Sequence, residues 1–239
     1  MAGYLRQVLQ DPAALAARAA ELFAIAASSA ISERGVFYAA FSGGRTPLLF
    51  LEALASEPFR NSVQWEKVHV FFVDERCVPP DSEQSNFRLA SSALLTRVRA
   101  RVHRIEGELG PAEAANRYER ELRATLGDRP ALDMVLLGMG ADGHTASLFP
   151  GSDALGEMER LAVGIADREP ARVTLTLPVI NASRSIVFHV TGADKAGMVR
   201  EVLQGHAQSG KVGYVPPAAL VDPRALWLLD TAAASGLSA

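Results

Sequence analysis

Three short runs, at residues 36–41, 68–73 and 132–137, are apolar at almost every position, and each gives way at once to a polar or glycine-bearing segment. Runs of this length without alternation suit strands covered on both faces, as in a parallel sheet flanked by helices. Parallel strands need a crossover between them, usually a helix, and the intervening stretches carry helical spacing. Asp11-Pro12 reads as an N-cap followed by proline at the first helical position. Leu15, Ala19, Leu22, Phe23 and Ala26 then recur at helical intervals to about residue 32, with Gly35 as the stop. Pro47 opens a helix over 48–54, and the polar loop 79–86 leads to another over 87–95. Gly110-Pro111 starts a helix with Tyr118, Leu122 and Leu126 on one face, ended by Gly127. Further strands are expected at 161–165, 173–177, 186–190 and 226–229, and a helix at 193–203 with Thr191 and Asp194 spaced as a capping box. The stretch 173–177 alternates, which predicts an edge or half-exposed strand. Strands alternating with helices predict a doubly wound α/β sheet. With no linker and no internal repeat, the 239 residues are expected to form a single domain, 1–239.

The formal net charge of −3 argues against coating nucleic acid or a membrane by bulk electrostatics. An anion ligand must therefore meet positive charge gathered locally. The single cysteine, Cys77, excludes a disulfide framework or a multi-cysteine metal site within one chain. A nucleophilic role for Cys77 lacks a nearby base, and a small semi-buried residue is the expectation. Met1 to Gln10 contains no apolar core of a secretory signal, and the longest apolar runs are about six residues against the ~20 of a spanning helix. A cytoplasmic location, no membrane contact and a monomer are expected.

Ligands of open α/β sheets bind beyond the carboxyl ends of the strands, and it is there that the unusual residues gather. Ser42-Gly43-Gly44-Arg45-Thr46 lies between a strand and a helix start. Its glycines allow close backbone approach, the helix start offers free N–H groups, and Arg45 adds a charged fork. A plain tight turn accounts for the same glycines, and neither the Walker A nor the dinucleotide spacing is present. Asp74-Glu75-Arg76 follows the second run directly, either lining a site or capping a neighbouring element with Asp74 paired to Arg76. Asp142-Gly143-His144 sits among the glycines at 138, 140 and 143. A carboxylate two residues from an imidazole, with a glycine between, suits a proton-transfer pair better than a surface loop. Lys195 falls in the first turn of its helix, where the macrodipole disfavours a cation unless an anion is near. Arg172, before a strand, is less informative. His69 and His189 lie inside strand patterns and are expected to be packed core or sheet residues, whereas His103 and His206 are expected to be solvated. No H-x-x-x-H or H-x-H pair is present, so no metal is indicated.

These segments resemble the 6-phosphogluconolactonases. The resemblance rests on Ser42-Gly-Gly-Arg-Thr-Pro47, Asp74-Glu-Arg-Cys-Val-Pro79 with Ser85-Asn86, and Gly140-Ala-Asp-Gly-His-Thr-Ala-Ser-Leu-Phe-Pro-Gly151. It extends to Arg172-Val-Thr-Leu-Thr-Leu-Pro178 and Thr191-Gly-Ala-Asp-Lys195, and so covers nearly the whole chain in order. It implies a Rossmann-like sheet shared with glucosamine-6-phosphate deaminases and hydrolysis of 6-phosphoglucono-δ-lactone to 6-phosphogluconate, with no cofactor. It places the general base on His144, and its acid and base-orienting partners on Asp74 and Asp142. The positive substrate-binding residues fall on Arg45, Arg76 and Lys195, with Arg172 a weaker carry-over. Backbone N–H groups of a glycine turn, or Arg76, are candidate donors to the oxyanion.

Deaminases resemble this chain at Asp-Gly-His, but they typically read Asp-Glu-Tyr where it has Asp74-Glu75-Arg76. They also carry a glutamate before Pro-Gly where it has Phe149. A non-catalytic sugar-phosphate sensor is the other alternative; such proteins usually add a DNA-binding domain, for which this chain has no room.

Overall fold

A computed structural model describes residues 4–127, 130–205 and 215–238. The chain runs through strand β1 (Leu5–Leu9), helix α1 (Pro12–Arg34), β2 (Phe37–Phe41), α2 (Arg45–Leu54), α3 (Phe59–Ser62), β3 (Val68–Phe72) and β4 (Asp74–Arg76). It continues through α4 (Asn86–Ala93), β5 (Arg101–Val102), α5 (Pro111–Leu126), β6 (Met134–Leu137), β7 (Ala162–Ile165) and β8 (Arg172–Leu175). The last elements are α6 (Leu177–Ala182), β9 (Ser185–Val190), α7 (Ala196–Gln204) and β10 (Leu226–Asp230).

Seven strands form one sheet in the order β1-β10-β9-β6-β2-β3-β5, and every pairing in it is parallel. From β2 the chain winds outward through β3 to β5; it then returns to β6 and winds the other way through β9 and β10. The direction reverses between β2 and β6, and the crevice beyond such a reversal is where open sheets hold ligands. The second sheet, β4-β8-β7, is antiparallel. Val73 joins the two sheets: its N–H donates to Phe41 O, and its carbonyl accepts from Leu175 N. The residues after β3 therefore leave the main sheet and extend across its carboxyl end.

The core forms around β2, β3 and β6, whose apolar runs are buried as the sequence predicts. Phe23 of α1 packs against Phe37, Phe41, Phe50 and Trp65. Asp11 caps α1 by accepting from Ala14 N at 2.8 Å, and Gly35, at φ +79°, ends it in the left-handed conformation. At 23 residues α1 is long and apolar enough to span a bilayer by length and composition. In this fold it instead buries Leu15, Phe23, Ile31 and five alanines.

Several expectations are corrected. Residues 173–177 are not half exposed: Val173, Thr174 and Leu175 are all buried in β8, the centre of the small sheet, and Leu177 already begins α6. The threonines are tolerated because Thr174 donates to Leu175 O and Thr176 to Arg160 O. The capping box does not form. Gly192 is the N-cap residue without a side-chain bond, the Thr191 hydroxyl meets Thr46 Oγ1 at 2.7 Å, and Asp194 pairs with Lys195 at 3.2 Å. His103 is not solvated: its ring stacks on Phe71 at 4.3 Å and bonds both His69 and Glu121. His206 lies outside the described residues.

Candidate active site

A cavity of about 620 Å³ opens at the carboxyl ends of β2, β3, β6 and β9. Ser42, Gly43, Gly44, Arg45, Thr46, Asp74, Arg76, His144 and Lys195 line it. Asp142 and Arg172 are not in its wall: Asp142 holds His144 from behind, and Arg172 donates to Pro170 O.

The glycine turn joins β2 to α2, which begins at Arg45, three residues earlier than the sequence pattern suggests. Gly44 is its N-cap at φ +113°, and no side chain caps this terminus. The first-turn N–H groups and the positive end of the helix dipole are thus left for a ligand. Arg45 and Lys195 add formal charge at the same cavity. Ser42 is turned away, its hydroxyl donating to Leu136 O at 2.9 Å, which ties the end of β2 to β6. The Thr46–Thr191 contact ties α2 to the turn after β9, and Asp230, by accepting from Gly192 and Ala233 N–H groups, holds that turn in place.

Asp142 and His144 form a pair. His144 Nδ1 lies 2.5 Å from Asp142 Oδ1, and the His144 N–H donates to the same oxygen at 3.2 Å. An ionised carboxylate can only accept, so Nδ1 carries the proton and Nε2 keeps its lone pair. Burial alone raises the Asp142 carboxyl, but its attraction to the His144 ring and the hydrogen bonds from His144 outweigh it and hold Asp142 below the usual carboxylate range. Gly140 makes room for this pair, because a Cβ there would overlap the His144 ring and Asp142 Oδ1. Phe149 packs on the imidazole with ring centres 4.7 Å apart, and Arg168 sits over the same phenyl ring at 4.7 Å.

The two carboxylates after β3 separate into different tasks. Glu75 is buried against the start of α4, where its oxygens accept from the N–H groups of Asn86 and Phe87 and from the Ser85 hydroxyl. Burial raises its carboxyl, partly offset by those donors. Asp74 instead faces the cavity, and Arg76 turns to Gln84 O, so the internal Asp74–Arg76 pairing does not occur. Cys77 is half-buried, and burial pushes its thiol up, away from a reactive thiolate.

Sequence reasoning passed over Asn86 and Ser147 as bonding partners of Asp74, and Thr191 and Asp230 as cavity residues. Ser147 and Asn86 do lie in the quoted motifs, but nothing in their spacing shows that both reach the same carboxylate. His189 is buried as expected, and it also lines the cavity, with no hydrogen-bond partner at either ring nitrogen among the described residues. Burial pushes its imidazole down to about 4. Among the described residues no group of three or more His, Cys, Asp or Glu side chains is arranged to hold a metal ion.

Comparison with known proteins adds an independent finding. The family model described as glucosamine-6-phosphate isomerases/6-phosphogluconolactonase matches residues 10–229. The 6-phosphogluconolactonase of Nostoc sp. is 41% identical over 243 residues, covering 97% of this chain and 98% of the relative. That of Synechocystis sp. is 42% identical over 221 residues, covering 88% of each. The crystal structure of 6-phosphogluconolactonase from Leishmania guyanensis superposes with a TM-score of 0.85 over 100% of both chains at 28% identity.

Proposed function

This chain belongs to the glucosamine-6-phosphate isomerase and 6-phosphogluconolactonase family, and from that premise we propose that it hydrolyses 6-phospho-D-glucono-1,5-lactone to 6-phospho-D-gluconate, the lactone-opening step of the oxidative pentose phosphate pathway. The observation that carries this reading is the Asp142–His144 pair, with His144 in the wall of the same cavity as the uncapped start of α2. Relatives similar over nearly their full length and named for this activity support it.

Asp142 fixes the Nδ1–H tautomer, and His144 Nε2 takes a proton from water as the water oxygen attacks the lactone carbonyl. Charge develops on the carbonyl oxygen, and the Arg76 guanidinium, in the wall of the same cavity, is the donor assigned to it. Collapse of the tetrahedral species breaks the bond from the carbonyl carbon to the ring oxygen. The imidazolium returns its proton to that oxygen, which leaves as a hydroxyl, and the new acid ionises. The substrate phosphate is assigned to the end formed by Arg45, Thr46, Lys195 and the α2 terminus. There its binding energy anchors the lactone at a distance from the reacting carbon. The protons balance with water alone, and a monomer is the proposed working unit.

Phe149 favours lactone hydrolysis over amino-sugar deamination, since the flank of His144 that it covers is apolar where deaminases carry a carboxylate in sequence. The test generates fresh lactone in situ and follows its loss above the spontaneous rate, with glucosamine 6-phosphate assayed alongside. Accelerated lactone loss without ammonia release is the expected result. Ammonia release, or binding without turnover, overturns the reading.

A further inference from the structure

Asp74 reaches the cavity from the short antiparallel sheet, whereas His144 reaches it from the turn after β6. Two elements that meet only at a site need something to fix their separation, since catalysis is sensitive to displacements of about 1 Å. We propose that Asn86 and Ser147 are positioning residues that hold the Asp74 carboxylate in register with His144. The proposal rests on the hydrolase reading above.

Each oxygen of Asp74 has its own donor. Ser147 Oγ donates to Oδ2 at 2.7 Å, and Asn86 Nδ2 donates to Oδ1 at 3.1 Å and to the Asp74 backbone carbonyl at 2.9 Å. Ser147 lies three residues after His144, in a tight turn closed by Leu148 N donating to Thr145 O, with Ala146 in the left-handed region at φ +53°. Its backbone N–H donates to Thr174 Oγ1, and Thr174 is the cross-strand partner of Asp74 in the small sheet. The loop that carries the histidine is thereby fastened both to the strand that carries the carboxylate and to its neighbour β8. Asn86 completes the connection to the first strand end, because its carboxamide packs so closely on Gly43 that a Cβ there would overlap it. Asp74, Asn86, Ser147 and Thr174 are all buried, with Asn86 3% and Ser147 1% exposed. Ser147 does not line the cavity and acts on a ligand through Asp74; Asn86 lies in the cavity wall, but its Oδ1 is enclosed and its Nδ2 is engaged by Asp74, so it too is assigned to positioning that carboxylate.

Asn86→Asp and Ser147→Ala test this. Asn86→Asp sets a second carboxylate beside Asp74 Oδ1, and two carboxylates in one site do not both ionise readily. The acid limb of kcat/KM then moves to higher pH by about a unit or more. The other titratable groups about Asp74 are Arg76 and Glu75 on its own strand, Arg172 on β8, Tyr118 on α5 and His144, and none of them is changed. Ser147→Ala removes one donor with little change in volume and is expected to lower kcat/KM about tenfold or more with circular dichroism unchanged. Leu15→Ala in α1 is the control: it loses stability without moving the pH limb. An unmoved acid limb in Asn86→Asp, together with Ser147→Ala turning over like the parent, overturns the proposal. Wild-type protein that fails to accelerate lactone loss overturns the hydrolase reading instead. In that event the Asp74 carboxyl carbon, followed by NMR through a pH titration of parent and Asn86→Asp, decides the positioning contact alone; identical titrations refute it.

Discussion

The chemistry assigned to this protein depends on which nitrogen of His144 carries a proton. Asp142 sets that through a 2.5 Å contact in which it can only accept. Asp142→Asn replaces the acceptor by an amide that can donate to Nδ1, moving the proton to Nε2 and removing the base. Turnover is expected to fall by about 10²–10⁴-fold, with KM for the lactone little changed. A loss of less than threefold counts against the assigned tautomer. His189 gives a prediction of a different kind. Its folded-state pKa of about 4 lies below the ~6.5 of an unfolded histidine. Between those values the unfolded chain binds more protons, so stability is complete above about pH 6.5 and is lost as pH falls toward 4. His189→Leu should remove this loss, on the order of 3 kcal/mol across that window. Urea midpoints at pH 7 and pH 5 check it: the gap between them narrows in the variant, and an unchanged gap contradicts the account.

The elements fix these side chains by small local devices. Gly140→Ala places a methyl group where the His144 ring and Asp142 Oδ1 already sit. The pair is expected to part, with at least a tenfold loss of kcat and a normal circular dichroism spectrum. Tyr118 repairs a gap in the sheet. β5 is only two residues long, so the end of β3 lacks a partner there, and the phenol both accepts from Phe72 N at 2.8 Å and donates to Phe72 O at 2.7 Å. Tyr118→Phe strands two buried backbone groups and is expected to cost about 1–3 kcal/mol in chemical denaturation. The buried strands β2, β3 and β6 were legible because their apolar runs are too short for helices and end at once in polar or glycine-bearing segments. β1 was not, since Leu5 and Val8 on this edge strand remain exposed and leave no pattern to read. β8 was legible as a strand, but its burial was not, because its alternation predicts an exposed face. Its buried threonines are satisfied by hydrogen bonds that only the folded chain supplies.

At the scale of the molecule, the order of strands in the main sheet makes the site. Because the winding reverses between β2 and β6, the turns that follow them open side by side, and Val73 carries β4 across the same end. Parallel strands made this convergence foreseeable from the sequence, and the glycine turn, Asp74 and His144 do share one cavity. The ties between the turns were not foreseeable, since Ser147–Asp74, Asn86–Asp74 and Thr46–Thr191 join residues far apart in the chain. The proposed division of the cavity into an anion end and a reacting end predicts separable effects. Lys195→Ala should raise KM for the lactone about tenfold or more while largely sparing kcat, read from saturation kinetics on freshly formed substrate. The most direct test of the whole account replaces His144 by alanine. It measures turnover of 6-phosphoglucono-1,5-lactone together with binding of 6-phosphogluconate by calorimetry. The account predicts a loss of about 10²–10⁴-fold in kcat with product affinity within a few-fold of the parent; undiminished turnover in His144→Ala contradicts it.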